Sequence, residues 1–325
     1  HLKCAIRNLT NIMNSENVLA VVVTCNRKEL LSECLMALAR QAVDILIIDN
    51  ASTDGTNQCV KNFIQAYKKT PQSNKVMYKR LKKNTGGAGG FFNGIKLAVR
   101  MNYDYVWIMD DDTIVTDNTL SELMVAKEKL NGEFGYLSSD ALWIDGSYCK
   151  MNVQHLEGDR FKNSYQLLNE GILPIKSASF VSLFINCNAV KECGLPYKEY
   201  FIWGDDKEYT LRISRKYACY RVKKSIVTHK MKSNNGSDII RDDISRIERY
   251  FYAYRNDFRT ACIMGAGDVY NYCVVFFRTI IRILKSDSPA KFLRIKTMFK
   301  GLCEGLQFAP NIEYINKKIK KGKAI

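Results

Sequence analysis

The segment 105–112 (YVWIMDDD) restricts the fold of this 325-residue chain more than any other part of the sequence. Five apolar residues of strand length are followed directly by Asp110, Asp111 and Asp112. Adjacent carboxylates repel one another by about 1 kcal/mol even with water-like screening, and a bound cation relieves that repulsion. Open α/β sheets bind ligands at the carboxyl ends of buried strands. The segment therefore predicts a divalent-metal site that holds a phosphate; the alternative is a solvent-exposed acidic turn before a helix starting near Asn118.

Strand and helix patterns alternate in the first third of the chain. Strands are predicted over 18–24, 45–48, 75–80 and 105–109, with helices over 28–39, from the turn 51–56 to about residue 67, and over 91–101. Short connections between such elements are typical of a parallel, doubly wound sheet, an α/β fold. The polar residues that follow these strands are then expected at one edge of the sheet, where ligands bind.

The second half of the sequence is less regular. Strands are predicted over 134–139, 142–149, 180–186, 219–223 and 225–227, and helices over 118–130, 189–193, about 207–217, 241–263, 269–284 and 292–306. We expect three parts: a leader over 1–17, an α/β domain over 18–263, and a basic amphipathic helical region over 264–325 that ends in the basic tail 317–323. Neither a signal peptide nor a transmembrane helix is expected, because long apolar runs are lacking.

The net charge of +16 implies an anionic partner: a nucleic acid, a phosphorylated substrate or an acidic membrane surface. No nucleic-acid-binding motif accompanies the charge, so we do not expect a nucleic acid. The eleven cysteines include no C-x-x-C pair, and only three histidines are present, which argues against a structural zinc cluster. Scattered cysteines fit reduced thiols in a cytosolic core.

The glycine-rich segment 84–90 (NTGGAGG) is predicted to be a loop that opens the helix over 91–101. It lacks the Gly-Lys-Ser/Thr ending of a phosphate-binding P-loop, and it is not a clean G-x-G-x-x-G motif. Glycines still allow backbone amides to approach a phosphate or a sugar at a helix N-terminus. The alternative is a flexible turn followed by crowded helix packing.

Two further acids, Asp205 and Asp206, precede a predicted helix. An N-cap needs only one of them, so the other can serve as a general base that deprotonates a hydroxyl. His229 stands alone at a predicted strand end. A lone histidine is usually an ordinary residue, although beside a carboxylate-bound metal it is a good additional ligand; the residues alone do not select it.

Six segments together resemble the inverting family 2 glycosyltransferases of the GT-A fold, in particular the galactofuranosyltransferase and rhamnosyltransferase branch. In chain order, within about 18–260, they are VVVTCNR, IIDNASTDGT, NTGGAGGFFNG, WIMDDDT, FIWGDDKEYTLRI and VTHK. The resemblance implies a GT-A type, mostly parallel, doubly wound sheet with a Rossmann-like nucleotide-binding half. It assigns the glycosyltransferase domain to 18–263, followed by a C-terminal helical region.

The resemblance also implies roles for individual residues. Asp110 and Asp112 would hold Mn²⁺ or Mg²⁺ against the diphosphate of a nucleotide sugar, and His229 would complete the metal ligands. Asp206 would be the catalytic base. The residues expected at the donor nucleotide are Thr24, Arg27, Asp49, Asn50, Asn84, Gly86, Gly87, Asp110 and Asp111.

Trp203 and Asp205 would contact the acceptor or the transferred sugar, although Trp203 is equally an ordinary core tryptophan. In some galactofuranosyltransferases the tryptophan directly precedes the acid pair, whereas Gly204 intervenes here. This departure leaves open whether Asp206 or Asp205 is the base, and it leaves the donor sugar open.

The function that the resemblance implies is metal-dependent, inverting transfer of a sugar to a hydroxyl of a growing, lipid-linked cell-surface polysaccharide. Galactofuranose from UDP-galactofuranose is the first expectation, with dTDP-rhamnose or another hexose donor as the alternative. A non-catalytic nucleotide-sugar or glycan-binding module is an alternative of another class, against which the retained acids argue.

The basic C-terminal segment is expected to dock on an anionic membrane surface. This places the protein in the cytoplasm, peripheral at the inner face of the cell membrane. A solvated basic face, or a subunit interface in a homo-oligomer, is the alternative. The residues expected at the lipid are Arg278, Arg282, Lys285, Lys291, Arg294, Lys296 and Lys300.

Overall fold

The computed structural model describes residues 17–71, 74–157 and 165–315. Residues 1–16 of the expected leader and the basic tail 317–323 lie outside the described residues. A ten-stranded sheet in the order β3-β2-β1-β4-β9-β6-β10-β8-β7, with β5 paired to β10, organises the described chain. Its strands are β1 (Val18–Thr24), β2 (Asp44–Asp49), β3 (Val76–Arg80), β4 (Tyr105–Asp110), β5 (Thr113–Val115), β6 (Tyr136–Leu142), β7 (His155–Leu156), β8 (Ile172–Ser177), β9 (Leu183–Asn186) and β10 (Tyr220–His229).

The helices cover both faces of this sheet and extend beyond its end. They are α1 (Lys28–Leu38), α2 (Thr56–Tyr67), α3 (Gly86–Arg100), α4 (Thr119–Lys129), α5 (Tyr165–Asn169), α6 (Cys187–Cys193), α7 (Asp205–Ser214), α8 (Tyr250–Met264), α9 (Ala266–Lys285) and α10 (Lys291–Gln307). Two short 3₁₀ turns, Lys198–Tyr200 and Ile244–Arg249, precede α7 and α8.

The continuous apolar run of β1 explains why the first half folds as expected. All seven residues of β1 are buried, and alternate residues pack into two different cores, Val22 on the side of α1 and Val21 on the side of α3. A strand buried on both faces is typical of a parallel sheet covered by helices. β1 pairs in parallel with β2 and β4, and β2 with β3. The predicted α/β, doubly wound fold is confirmed; from β5 onward antiparallel neighbours join the sheet.

The glycine-rich segment differs from its prediction as a loop, because helix α3 already begins at Gly86. Two glycines of α3 face β1. A Cβ atom at Gly90 would lie 2.4 Å from Val23 Cγ1, and one at Gly94 would lie 2.3 Å from Val21 Cγ1. Close packing of the helix on the strand therefore outweighs the low helix propensity of glycine.

Other elements also differ from the sequence prediction. β10 is one strand rather than two, with a register shift against β6 between Val222 and Ile226. Of the strand predicted over 142–149, only a single bridge between Leu142 and Tyr148 is present. The helix predicted over 241–263 starts as a 3₁₀ turn and becomes α-helical at Tyr250.

The C-terminal helices α9 and α10 pack against α8 around a core of their own. α10 approaches α8 closely, since a Cβ atom at Gly301 would lie 2.7 Å from the carbonyl oxygen of Phe251. Within the described ranges, no helix combines the length and apolar character that crossing a bilayer requires. The expected division of the chain at residue 263 falls near the end of α8 and stays a prediction.

Arg294 is not available to a lipid surface, contrary to expectation. It is 1% exposed, and its guanidinium donates to the carbonyl oxygens of Pro289 and Asp242 at 2.8 and 3.1 Å, and to that of Ile239. A buried guanidinium needs acceptors for its N–H donors. The Arg294 side chain therefore binds backbone carbonyl oxygens inside the helical region.

Candidate active site

The three adjacent acids lie at the carboxyl end of β4, as the sequence predicts. Asp110 ends the strand and is partly exposed, whereas Asp111 and Asp112 are 3% and 5% exposed. A solvent-exposed acidic turn, the alternative considered above, does not fit this burial. Carboxylates are buried in this way only when charges or hydrogen-bond donors surround them.

Asp110, Asp112 and His229 come together, although they lie far apart in the chain. The antiparallel pairing of β10 with β5 sets His229 opposite Thr113. This register brings Nε2 of His229 to 3.0 Å from Oδ1 of Asp112. One ligand atom from each of the three residues lies within 4.8 Å of the other two, so a single cation can contact all three.

The donor set of this cluster fits a divalent cation. Two carboxylate oxygens and one imidazole nitrogen are ligands that Mn²⁺ and Mg²⁺ accept in proteins. Asp112 Oδ1 is buried beside Nε2 of His229, and no other polar group in the described part of the chain donates a hydrogen bond to it. It therefore has a lone pair for a metal.

Asn152 lies behind His229 and orients its ring. Asn152 Oδ1 is 2.8 Å from Nδ1 of His229, and its Nδ2 donates to Ser179 Oγ at 2.8 Å. Because an amide oxygen only accepts, Nδ1 carries a ring proton and Nε2 faces Asp112; in the neutral ring Nε2 has a lone pair for a cation, and in the protonated ring it donates to Asp112. No local signal in the sequence points to Asn152, which lies in an irregular polar segment.

The pKa values of the residues in this cluster are shifted in different directions. Burial, followed by the charge of Asp112, raises the pKa of Asp110 to about 8, and burial raises that of Asp111 to about 6. Burial also acts to raise the pKa of Asp112, but the hydrogen bond and charge of His229 outweigh it and lower that pKa. Burial acts to lower the pKa of His229, but the hydrogen bond and the charge of Asp112 outweigh it and raise that pKa. A cation would stabilise the ionised form of every one of these carboxylates.

Arg27 and Thr24 hold the middle acid of the triplet. The hydroxyl of Thr24 donates to Asp111 Oδ2 at 2.7 Å, and Nη1 of Arg27 lies 3.2 Å from Asp111 Oδ1 and 2.7 Å from Asp112 Oδ2. Thr24 is buried, whereas half of the Arg27 side chain is exposed. Asp111 therefore links the end of β1 to the triplet, and Arg27 still faces solvent beside it.

Asn50 organises the start of α3. Its Nδ2 donates to the carbonyl oxygen of Gly86 at 2.8 Å and to Asn84 Oδ1 at 3.1 Å, while its Oδ1 accepts from the backbone of Thr85 at 2.8 Å. Asn84 Oδ1 also accepts from the amide of Gly86 at 2.8 Å. The structure thus brings both asparagines, predicted at the nucleotide, to the N-terminus of the glycine-rich helix. The space around Gly87 is open.

Asp49, the other acid predicted at the nucleotide, is fully buried at the end of β2. Its carboxylate accepts from the Tyr78 hydroxyl at 2.5 Å and from the backbone amide of Ser52 at 2.7 Å. These bonds fix the polar turn that follows β2.

Asp205 and Asp206 are the first two residues of α7. Asp205 is 7% exposed, whereas Asp206 keeps part of its surface in solvent. Burial, followed by the charge of Asp206, raises the pKa of Asp205 to about 8, and burial also raises the pKa of Asp206. A carboxylate with a raised pKa is a stronger base than an exposed one.

The segment before these acids touches the glycine-rich helix. The amide of Ala88 donates to the carbonyl oxygen of Phe201 at 3.2 Å. Gly86, with φ +71°, lies so close that a Cβ atom there would be 1.8 Å from the same oxygen. The start of α3, predicted at the nucleotide, is therefore in direct contact with the segment that leads into Asp205 and Asp206.

Trp203 packs on Tyr250, with ring centroids 5.1 Å apart and an angle of 56° between the planes. It is partly exposed and contacts the hydrophobic core of the C-terminal helices. Its predicted contact with the acceptor stays a prediction.

Comparisons with known proteins relate this chain to glycosyltransferases. Residues 19–132 match the family described as Glycosyl transferase family 2. Galactofuranosyltransferase GlfT1 of Mycolicibacterium smegmatis is 26% identical over 216 residues, 62% of this chain and 67% of that protein. GlfT1 of Mycobacterium tuberculosis H37Rv is 32% identical over 210 residues, 62% of this chain and 66% of that protein. The chain thus spans about two thirds of the length of these relatives.

Abequosyltransferase RfbV of Salmonella typhimurium is 33% identical over 107 residues, which are 31% of this chain and 30% of that protein. Among solved structures, GalNAc-T7 with UDP, GalNAc and Mn²⁺ superimposes with a TM-score of 0.58 at 14% identity, covering 90% of this chain and 56% of that one. S. aureus TarS 1–349 with UDP-GlcNAc gives a TM-score of 0.51 at 14% identity, covering 90% and 73%. These likenesses show the GT-A fold. The family match, which includes the strand that carries the acid triplet, identifies residues 19–132 as a glycosyl transferase family 2 domain.

Proposed function

We propose that this chain is a metal-dependent, inverting glycosyltransferase that transfers galactofuranose from UDP-galactofuranose to a hydroxyl of a glycan. The observation that carries the proposal is the cluster of Asp110, Asp112 and His229, in which the two aspartates lie within the family 2 segment and His229 reaches them from the end of β10. The GlfT1 relatives support the choice of sugar. A divalent cation, Mn²⁺ or Mg²⁺, would be held by these three residues.

In the proposed reaction the base and the metal ligands act on opposite sides of the anomeric carbon. Asp206 takes the proton from an acceptor hydroxyl. The oxygen attacks the anomeric carbon as the bond to the diphosphate breaks, so the configuration inverts without a covalent enzyme intermediate. When bound, the cation supplies charge neutralisation for the departing diphosphate. Asp110, Asp112 and His229 would hold it, and Arg27, which contacts Asp111 and Asp112, would add positive charge on the same side.

Hydrolysis and transfer from a panel of nucleotide sugars, with Mn²⁺ and with EDTA, test the proposal. UDP-galactofuranose is expected to be turned over with Mn²⁺ and not with EDTA. If only dTDP-rhamnose is turned over, the transferred sugar is rhamnose, and the proposed type of reaction still holds. Metal-dependent UDP binding without turnover of any donor would contradict the enzymatic proposal and favour a non-catalytic nucleotide-sugar-binding module.

We also propose that the acceptor is lipid-linked and that the C-terminal helices dock on an anionic membrane at the inner face of the cell membrane. One face of α9 exposes Tyr270, Phe277, Ile281 and Leu284, spaced at i, i+7, i+11 and i+14. On α10, Phe292 is 81% exposed. The expected basic residues that are exposed on the same two helices are Arg278, Arg282, Lys285, Lys296 and Lys300. Apolar and basic groups together on amphipathic helices suit anionic headgroups.

Flotation with vesicles tests the membrane proposal. Binding is expected to vesicles that contain phosphatidylglycerol and to be weaker with phosphatidylcholine alone or at high salt. Phe292→Ser should weaken binding, whereas Met36→Ser, an exposed apolar residue on α1, should not. Equal binding by both variants and the unaltered chain would contradict this surface.

A further inference from the structure

The backbone just before the acid pair adopts an unusual conformation. Phe201 and Trp203 have φ values of 65° and 64°, and Gly204 follows with 81°. The left-handed region is rarely adopted by large L-residues and persists only where the surroundings hold it. The segment 200–204 therefore needs an external support.

The side chain of Asn256 on α8 supplies this support. Its Nδ2 donates to three carbonyl oxygens, those of Tyr200 at 2.9 Å, Ile202 at 3.2 Å and Trp203 at 2.8 Å. Asn256 is fully buried. The contacted carbonyls flank the two strained residues, so a single amide fixes the course of the whole segment.

Arg255 fixes the orientation of that amide. Its Nε donates to Asn256 Oδ1 at 3.0 Å, and its Nη2 donates to the carbonyl oxygen of Glu199 at 2.8 Å. The guanidinium lies over the ring of Phe308, 3.9 Å from its centroid. Because the amide oxygen is already used by Arg255, the amide NH₂ group points toward the segment 200–204.

The supported segment connects the two sides of the site. Its end, Gly204, leads directly into Asp205 and Asp206, and its middle carbonyl, at Phe201, accepts from Ala88 on the glycine-rich helix. A shift of this backbone would move the acid pair relative to the N-terminus of α3.

We propose that Asn256 is a positioning residue that holds the acid pair in register with the nucleotide side of the site. It acts through the backbone of 200–203 and contacts neither the acid side chains nor the metal cluster. The proposal rests on the proposed function for its effect on rate, and on the hydrogen bonds alone for its effect on the segment.

Thr260 offers a matched control one helical turn further along α8. It is 2% exposed, and its hydroxyl lies 3.0 Å from the hydroxyl of Tyr200. Thr260→Val therefore removes a buried hydrogen bond to the same region while leaving the carbonyl contacts of Asn256 in place. A purely structural role predicts similar consequences for Asn256→Ala and Thr260→Val.

The test compares Asn256→Ala, Asn256→Asp and Thr260→Val with the unaltered chain, using the donor that the panel selects. In the Asn256 variants kcat is expected to fall about 10²-fold, because a misplacement near 1 Å has that cost. KM for the donor, and the affinity for UDP with Mn²⁺, should stay within about threefold, since ground-state binding is kept. Hydrogen exchange should accelerate in a peptide spanning 199–206. Thr260→Val should change none of these.

Normal protection of 199–206 together with normal kcat in Asn256→Ala would overturn the proposal. So would an equal loss of kcat in Thr260→Val. Asn256→Asp keeps the size and the acceptor but removes the donor, so it applies the same test if the alanine variant does not fold. If the unaltered chain turns over no donor, the proposed function fails, and the exchange measurement still decides whether Asn256 holds the segment.

Discussion

Two acid clusters in this molecule differ in what surrounds them. The triplet at the end of β4 is buried among Arg27, Thr24 and His229, each within hydrogen-bond distance of one of its carboxylates. The pair at the start of α7 has no ion pair within the described ranges of the chain, and the neighbouring Lys207 contacts Asp257 instead. Both clusters contain carboxylates whose pKa is raised, but the first also brings an imidazole nitrogen to two of its acids, which favours holding a cation, whereas the second leaves Asp206 without an ion-pair partner among the described residues. Under the proposed function, similar residues therefore serve metal binding in one place and proton transfer in the other.

Removal of the proposed base should have the largest effect. Asp206→Asn is expected to lower kcat by up to about 10⁴-fold, the upper end for general acid–base catalysis, while UDP with Mn²⁺ binds as before. Asp205→Asn is the matched variant, and transfer kinetics for both decide which acid is the base. A larger loss in Asp205→Asn would exchange the two roles.

Removal of a proposed metal ligand should weaken metal binding at the acid triplet. Asp112→Asn is expected to reduce the affinity for Mn²⁺ and to lower kcat roughly 10³-fold, because the metal contributes several kcal/mol to charge stabilisation. Calorimetric titration with Mn²⁺, with and without UDP, measures the first effect. If Mn²⁺ affinity is the same in Asp112→Asn and in Asp206→Asn, the assignment of separate roles fails.

Loss of the support behind His229 should have a smaller effect on the same site. Asn152→Ala is expected to weaken Mn²⁺ binding roughly 10- to 100-fold, since it leaves Nδ1 of His229 without its partner. Ser179→Ala, which removes the partner of the Asn152 amide, should weaken it less. The same calorimetric titration measures both, and unchanged affinity in Asn152→Ala would contradict the role.

The smallest expected effect is a shift of the pH profile. Burial and then the charge of Asp257 raise the pKa of Asp206, so kcat should rise as pH increases through that pKa and the base loses its proton. Asp257→Asn removes the raising charge and frees Lys207, which lowers the pKa of Asp206. The acidic limb should move to lower pH by less than about one unit, because these charges are partly screened. A shift to higher pH would contradict the assignment of Asp206 as base.

The sequence predicts the first half of the α/β domain well because its signals are local. The buried run of β1 and the acids after β4 need only a few neighbouring residues to be recognised. The residues alone do not select His229, which comes from the family resemblance, because its place depends on the pairing of β10 with β5. The sequence does not predict that α3 begins at Gly86, because close packing of its glycines, rather than helix propensity, determines where this helix forms.

The two supporting asparagines lack any local signal. Asn152 lies in an irregular polar segment, and Asn256 is one polar residue in a helix rich in arginine and tyrosine. Both are recognised only through their distant partners, the ring of His229 and the carbonyls of 200–203.

The register shift within β10 has a consequence for how this chain can tolerate changes in length. Between its pairings with Ser139 and Asp140 of β6, β10 carries the extra residues 223–225. Lys223 and Lys224 are exposed there. In a regular strand, one inserted residue would turn every later side chain to the opposite face, and His229 with them. We expect insertions and deletions at these two lysines to be absorbed locally, so that the far end of the sheet can vary in length while His229 still faces Asp112.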